Sequence, residues 1–182
     1  MDKKILKVCM LGSFSLEYAG KELVLDRNKN SKTTQLFQLL MLHTEDGGIS
    51  KAAMIEALYG RVEVENKNSS LNNTIFRLRK QLKDIGLPES KYINIQSGMC
   101  CWDENIKVWV DVCEFKRLVE QVRTEKREGD RLQLWLKIWK IYKGEFLPDM
   151  IGENWAAVEN VQCRDDYFQV TTQLCQWLKN NE

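Results

Sequence analysis

The sequence has few of the residues on which common catalytic and metal sites depend. It contains one histidine, His43, and none of its six cysteines forms a C-x-x-C pair, so a zinc site would need ligands from scattered positions. It also has no glycine-rich phosphate-binding loop and no G-x-S-x-G motif. These absences argue against an enzyme, a metal and a cofactor, and they favour reduced cysteines in a cytoplasmic protein.

Long apolar runs and prolines are scarce as well. No apolar run approaches the roughly 18 residues of a membrane-spanning helix, and the alternating segment after Met1–Lys4 is too short for a secretory signal. Only Pro88 and Pro148 occur. With 182 residues, 43% hydrophobic residues and a formal net charge of +1, we expect a folded chain of one large or two small domains and no membrane partner.

The N-terminal part begins with the period-two alternation of β-strands. ILKVCMLGSFSLEYAGKELVLD (5–26) predicts three short antiparallel strands, with a turn at Ala19-Gly20-Lys21. Helical spacing follows. Ser31 is a suitable N-cap for a helix over about 31–44, and Ser50 for a second helix that Gly60 ends. The expected core positions of these two helices are Leu36, Leu39, Leu40, Ala53, Met54, Ala57 and Leu58.

A third helix is predicted over residues 67–85, and its two faces differ strongly. Its apolar residues are spaced 4, 3, 4 and 3, which defines a narrow stripe of Leu71, Ile75, Leu78, Leu82 and Ile85. A helical wheel places on the opposite face Ser69, Asn72, Asn73, Phe76, Arg77, Lys80 and Lys83. Residues 66–91 contain six basic and two acidic residues, although the chain as a whole is nearly neutral.

This polar face has side chains suited to DNA. Arginine can bond bidentately to guanine and asparagine to adenine in a major groove, whereas Lys80 and Lys83 are better placed for phosphates. A solvated basic face would show the same spacing. The order of the elements favours DNA, because helix, turn, basic helix and hairpin is the order of a winged helix-turn-helix. The hairpin is predicted in YINIQSGMCCW (92–102), with its turn near Ser97-Gly98, and a strand follows through Val108 and Val110.

From Asp111 onward the pattern is helical. One predicted helix starts at Asp111 and ends at Gly129, a second ends at Gly144, and a third covers about 154–179. Helix pairs of this length suggest stacking of the tetratricopeptide (TPR) type. The expected core residues are Trp135, Leu136, Trp139, Ile141, Tyr142, Trp155, Tyr167, Phe168, Leu174, Trp177 and Leu178. An array of this type that is cut short exposes a face that can bind another protein or a second copy of the chain.

Two stretches resemble known families. The N-terminal part, including RLRKQL at 77–82, resembles the OmpR/PhoB-type winged-helix domain, and VDVCEFKRLVEQ (110–121) with LWLKIWKIYKGEFLPDM (134–150) resembles the start of the bacterial transcriptional activator domain. This pairing is similar to that of SARP-type activators. It implies an α+β fold: a winged helix-turn-helix with an N-terminal antiparallel sheet and a C-terminal hairpin wing over 1–108, then an all-α, TPR-like helical domain over 109–182, with the activator domain partial.

The resemblance also implies site residues. DNA contacts would come from Asn73, Thr74, Phe76, Arg77 and Arg79 on the recognition helix, from Gln96 and Ser97 in the wing, and from Lys51 at a helix N-terminus that favours phosphate. The loop containing Arg61, Glu63 and Glu65 would contact RNA polymerase. With the helical-wheel residues, the candidate DNA-binding set is Lys51, Ser69, Asn72, Asn73, Thr74, Phe76, Arg77, Arg79, Lys80, Lys83, Gln96 and Ser97.

The expected function is therefore a sequence-specific transcriptional activator of the bacterial cytoplasm. It would read the major groove of double-stranded DNA with helix 67–85 and bind tandem repeats as a homodimer, with half-sites about 10–11 base pairs apart. The helical domain would serve dimerisation, polymerase contact or reception of a signal. The alternative is a TPR-like interaction scaffold whose winged helix contacts protein rather than DNA.

Overall fold

The computed structural model describes residues 4–181, and contacts divide the chain into two compact units. The first unit contains the residues up to Val8 together with Ser15–Val110, and the second contains Cys9–Phe14 together with the residues from Asp111 onward. The predicted domain boundary lies between residues 108 and 109, and the sequence pattern does not indicate that Cys9–Phe14 belongs to the second unit. Met1, Asp2 and Lys3, which enter the expectation about a secretory signal, lie outside the described residues.

The first unit begins with a small four-stranded sheet. Its strand order is β3-β2-β1-β7, with β1 at Leu6–Cys9, β2 at Ser15–Tyr18, β3 at Lys21–Leu23 and β7 at Val108–Val110. The predicted turn between β2 and β3 is confirmed, since these strands are antiparallel and Ala19 and Gly20 have positive φ. β1, however, pairs in parallel with β7, so the sheet is not the purely antiparallel one expected.

Three helices form most of the core of this unit. α1 (Lys32–Leu42), α2 (Lys51–Tyr59) and α3 (Lys67–Asp84) match the predicted helices, and the Ser31 and Ser50 side chains cap the first two. α1 was expected to bury one face, yet every residue from Thr33 to Leu42 is buried because α2, α3 and a β-strand pack around it. In α2, the expected core position Ala53 is exposed, whereas Met54 and Leu58 are buried.

A three-stranded antiparallel sheet completes the unit and contains the predicted hairpin. Its order is β4-β6-β5, with β4 at Ile49–Ser50, β5 at Ile93–Gln96 and β6 at Met99–Trp102. Between β5 and β6, Ser97 and Gly98 both have left-handed backbone conformations, with φ of 50° and 79°. Two such residues in succession are typical of a tight type I′ hairpin turn. The predicted turn is confirmed. The sequence does not predict β4, because a two-residue strand is too short to show period-two alternation.

The second unit is built on three helices: α4 (Asp111–Thr124), α5 (Glu128–Ile141) and α6 (Asn154–Asn180). α4 ends before the expected Gly129, because the Glu125 carboxylate accepts the N–H groups of Lys126 and Arg127 and the chain turns there. Tyr142 and Tyr167 stack with their ring centroids 4.0 Å apart. Four of the expected core residues are instead exposed, by 42% to 73%: Leu136, Trp139, Phe168 and Leu178.

Asp111 explains why Cys9–Phe14 belongs to the helical unit. Its buried carboxylate accepts the backbone N–H groups of Met10, Leu11 and Val112 at 2.7–2.9 Å. Burial raises the pKa of this carboxyl, and the hydrogen bonds from these N–H groups oppose the rise. Leu11 also forms an antiparallel bridge with Phe146, so the segment is held from two sides.

Candidate nucleic-acid interface

The apolar stripe of α3 fixes which side of this helix faces solvent. Leu71, Leu78 and Leu82 are fully buried, and Ile75 is 3% exposed, as the spacing predicts. Ile85, the last residue of the predicted stripe, is the C-cap of the helix and is half-buried. Asn66, at the N-terminus of the helix, accepts the N–H of Ser69 through its side-chain oxygen at 2.9 Å. This cap was not predicted, although an asparagine just before a periodic apolar segment is the usual signal for one.

The opposite face of α3 is open to solvent. All seven residues that the helical wheel assigned to it are exposed: Ser69, Asn72, Asn73, Phe76, Arg77, Lys80 and Lys83. Phe76 has 69% of its surface accessible, which is unusual for a phenylalanine side chain. Within residues 4–181, no hydrogen bond or ion pair engages the side chains of Arg77 or Lys80. Both charged groups are therefore available to an anionic partner.

Thr74 is not part of this open face. It is 5% exposed, its hydroxyl lies 2.7 Å from the Tyr59 hydroxyl, and it donates to the carbonyl oxygen of Ser70 at 3.0 Å. The DNA contact that the resemblance implies for Thr74 stays a prediction, although this side chain is not exposed on the open face. The side chain joins α3 to α2, and its hydrogen-bonding capacity is satisfied inside the protein.

Arg79 is engaged in a different way. Its Nε donates to the carbonyl oxygen of Lys91 at 3.1 Å, and its Nη2 donates to that of Ile93 at 2.6 Å. Lys91 and Ile93 lie at the start of the hairpin, so Arg79 joins α3 to the base of the wing. These hydrogen bonds support a role for Arg79 in positioning the wing, and its implied base contact stays a prediction.

We expect Arg79→Lys to lower the free energy of unfolding by about 1–3 kcal/mol, since a lysine cannot reproduce two diverging hydrogen bonds to carbonyl oxygens. Urea denaturation would measure the loss. Lys80→Arg, a reverse exchange at the next, exposed position, should leave stability within about 0.5 kcal/mol of the parent. Equal stability of Arg79→Lys and the parent would contradict the positioning role.

The basic surface is weaker toward the end of α3 than the residue count suggests. Lys83 Nζ lies 2.8 Å from Glu89 Oε1, and this contact raises the pKa of Lys83 and lowers that of Glu89. Both side chains remain largely exposed. A phosphate near Lys83 would therefore compete with the Glu89 carboxylate, whereas one near Lys80 would not.

The start of α2 differs from the expected phosphate site. The N–H of Lys51 donates to the carbonyl oxygen of Gly98 in the wing turn at 2.7 Å, and the N–H of Ala53 donates to Ser50 Oγ. The protein itself thus takes two of the N–H groups on which the anion-binding expectation was based. The half-exposed Lys51 side chain remains as a candidate phosphate contact, and Gln96 and Ser97 are exposed at the hairpin tip.

The loop between α2 and α3 is solvent-exposed at the positions predicted to contact polymerase. Arg61, Glu63 and Glu65 are all exposed, and Val62 between them is 43% exposed. The contact with RNA polymerase remains a prediction. Over residues 4–181, no cluster of His, Cys, Asp and Glu could hold a metal ion, and no helix is long and apolar enough to cross a membrane.

Comparison with known proteins identifies the fold. No protein-family model matches the chain, and no curated protein matches it. Among solved structures, it is similar to EmbR of Mycobacterium tuberculosis, determined in complex with a low-affinity phosphopeptide, with a TM-score of 0.67 and 14% sequence identity. The match covers 94% of this chain and 45% of the EmbR chain. The chain thus has an EmbR-like, mixed α+β winged-helix fold and spans less than half of that protein.

Proposed function

We propose that the chain is a sequence-specific, DNA-binding transcriptional regulator of the SARP type that acts as an activator. The observation that carries this proposal is the open face of α3. There, Arg77 and Lys80 form no side-chain hydrogen bond or ion pair with any residue from 4 to 181, and the opposite face of the helix is buried. In winged helix-turn-helix proteins, this helix enters the major groove. The EmbR-like fold and the sequence resemblance support the same class of protein.

The geometry suggests a division of roles. Asn72, Asn73 and Arg77 are suited to base edges, and Phe76 to a thymine methyl group. Lys51, Lys80 and Lys83 are suited to phosphates, which would set the position of α3 on the duplex. Ser69 lies on the same face near the start of the helix, and Gln96 and Ser97 in the wing would reach the minor groove or the backbone. Thr74 and Arg79 would act only through the positions of α3 and the wing.

The proposed mechanism is binding rather than catalysis, and it takes place in the bacterial cytoplasm. Two copies would occupy tandem repeats, the loop with Arg61, Glu63 and Glu65 would contact RNA polymerase, and the TPR-like helical unit would contribute dimerisation, polymerase contact or signal reception. The chain spans less than half of EmbR, so these activities are proposals for this chain and are not transferred from that protein.

A second candidate function is an interaction scaffold. It is favoured by the exposed apolar side chains of the helical unit, of which Val158, Trp139 and Phe168 are 72%, 58% and 73% exposed. Exposed large apolar residues are enriched at protein contacts. In this case the winged helix would bind protein, and its binding would show little dependence on salt.

Selection of bound duplexes from a random DNA pool tests the proposed function directly. We expect enrichment of one motif, present as repeats about 10–11 base pairs apart. Affinity for the selected site should fall steeply between about 50 and 200 mM salt, because phosphate contacts release counterions. If no motif is enriched and the binding affinity does not change with salt, the result would support the interaction scaffold instead.

We expect Arg77→Ala to weaken binding to the selected site by about 1–3 kcal/mol and to relax the sequence preference at one position. Lys80→Ala is the matched comparison, since it should weaken all sequences about equally and reduce the salt dependence. Gel-shift titrations at fixed salt would measure both variants. Equal affinities of Arg77→Ala and the parent for the selected site would remove Arg77 from the base contacts.

A further inference from the structure

The helical unit contains a partly open cavity of about 190 Å³ that the proposed DNA-binding function does not use. Helices α4, α5 and α6 line it. Val119, Val122 and Val170 give it an apolar wall, and its polar lining includes Arg131, Gln169 and Gln173. An engineered cavity of about 150 Å³ takes up benzene, so this volume is sufficient for a small organic molecule.

The charges around the cavity leave one cation without an anion. Arg123, which also lines the cavity, donates to Asp166 at 2.8 Å and to Glu120 at 3.1 Å. The Glu125 carboxylate accepts two backbone N–H groups, which lower its pKa. By contrast, no ion pair or side-chain hydrogen bond of Arg131 occurs within residues 4–181, and its Nε is buried without an acceptor.

Arg131 is also held in a fixed orientation. Its guanidinium carbon lies 5.1 Å from the ring centroid of Trp135, one turn further along α5, which is the geometry of a cation–π contact. Trp135 Nε1 is itself buried without an acceptor among the described residues. Trp135 does not line the cavity, so Arg131 is the lining residue that presents a guanidinium without an acceptor or a counter-ion within the described residues.

We propose that this cavity binds a small monocarboxylic acid. The carboxylate would accept hydrogen bonds from the Arg131 guanidinium, whose fork geometry matches two carboxylate oxygens. The apolar body of the acid would cover Val119, Val122 and Val170, and the amides of Gln169 and Gln173 would bond its polar substituents. Inorganic phosphate fits less well, because it would leave the valine wall uncovered. This inference does not rest on DNA binding, so either proposal can fail alone.

Titration of the ¹⁵N-labelled full chain with sodium benzoate, followed by NMR, tests the proposal. We expect saturable shifts of the Gln169 and Gln173 side-chain amide signals and of the Trp135 indole signal. Benzyl alcohol, which lacks the carboxylate, and inorganic phosphate, which lacks the apolar body, should each bind about tenfold more weakly or worse. Shifts elsewhere only, no saturation, or equal binding of all three probes would overturn the proposal.

Three variants locate the site. Arg131→Gln should weaken benzoate binding about tenfold or more, whereas Arg127→Gln, which removes an exposed arginine one turn earlier, should leave it unchanged. Gln169→Trp should also abolish binding by covering the cavity, and it tests the site even if Arg131→Gln fails to fold, since Gln169 is exposed. Unchanged binding in Gln169→Trp, or equal losses in the two arginine variants, would refute the assignment.

Discussion

Leu78→Ala is expected to lower the free energy of unfolding by about 2–5 kcal/mol, because it leaves a cavity where a fully buried leucine now lies. Leu78 lies in the middle of the α3 stripe, between Ile75 and Leu82, so neighbouring side chains cannot easily fill the space. Chemical denaturation of the purified chain would measure the loss.

The adjacent Arg77→Ala is the matched control for this variant. Arg77 is exposed and forms no side-chain hydrogen bond or ion pair within the described residues, so stability should stay within about 0.5 kcal/mol of the parent. Two neighbouring residues should therefore separate two properties, with Leu78 required for folding and Arg77 for binding. A Leu78→Ala variant as stable as the parent would contradict the placement of the stripe against the core.

Asp111→Asn is expected to cost at least about 3 kcal/mol of unfolding free energy, because buried N–H groups that lose an acceptor each cost about 1–3 kcal/mol. The carboxylate now accepts the N–H groups of Met10, Leu11 and Val112, and an amide would turn a donor toward some of them. Hydrogen exchange should show the local consequence, with faster exchange at the amides of Met10 and Leu11.

Asp130→Asn is the comparison for this variant. Asp130 also lies in the first turn of a helix, α5, but it is exposed, and its ion pair is with the exposed Arg127. The charge change near a helix N-terminus is the same, so the difference between the two variants isolates burial and the three hydrogen bonds. Equal effects of the two substitutions would mean that Asp111 acts only through the helix dipole.

Local patterns were sufficient to predict the helices and turns of the first unit. The 4-3-4-3 spacing predicts both the buried stripe and the open face of α3, because the helix face from Leu71 to Leu82 packs against the core. In α1, the same kind of pattern was incomplete. Thr33, Gln35 and Gln38 are buried among neighbouring elements that a helical wheel does not contain.

In the candidate site, the helical wheel and the family resemblance predict different residues, and these residues differ in exposure. Every residue that the helical wheel assigns to the polar face is exposed. Thr74 and Arg79, which come only from the family resemblance, instead form hydrogen bonds with Tyr59 and with the base of the wing. A motif transfers residue types between relatives. It does not transfer the protein partners that compete for those side chains.

Long-range pairings were beyond the reach of the sequence. The alternation in β1 predicts a strand, but it does not specify that the partner is β7, about a hundred residues later and parallel to it. The sequence also overestimates burial in the helical unit. Aromatic residues such as Trp139 and Phe168 usually indicate a core, yet both are exposed here. Only the packing of α4, α5 and α6 shows which apolar faces remain uncovered.

The hydrogen bonds from the Met10 and Leu11 N–H groups to the Asp111 carboxylate affect the order of folding during synthesis. The ribosome releases residues 9–14 early, yet the Asp111 carboxylate that binds Met10 and Leu11, and Phe146, which forms the bridge with Leu11, emerge only after the whole winged-helix unit has been made. The helical unit therefore cannot be completed from a C-terminal fragment alone. Truncation at residue 110 would leave the N–H groups of Met10 and Leu11 without the Asp111 acceptor in one fragment, and Asp111 with only the Val112 N–H of these three donors in the other.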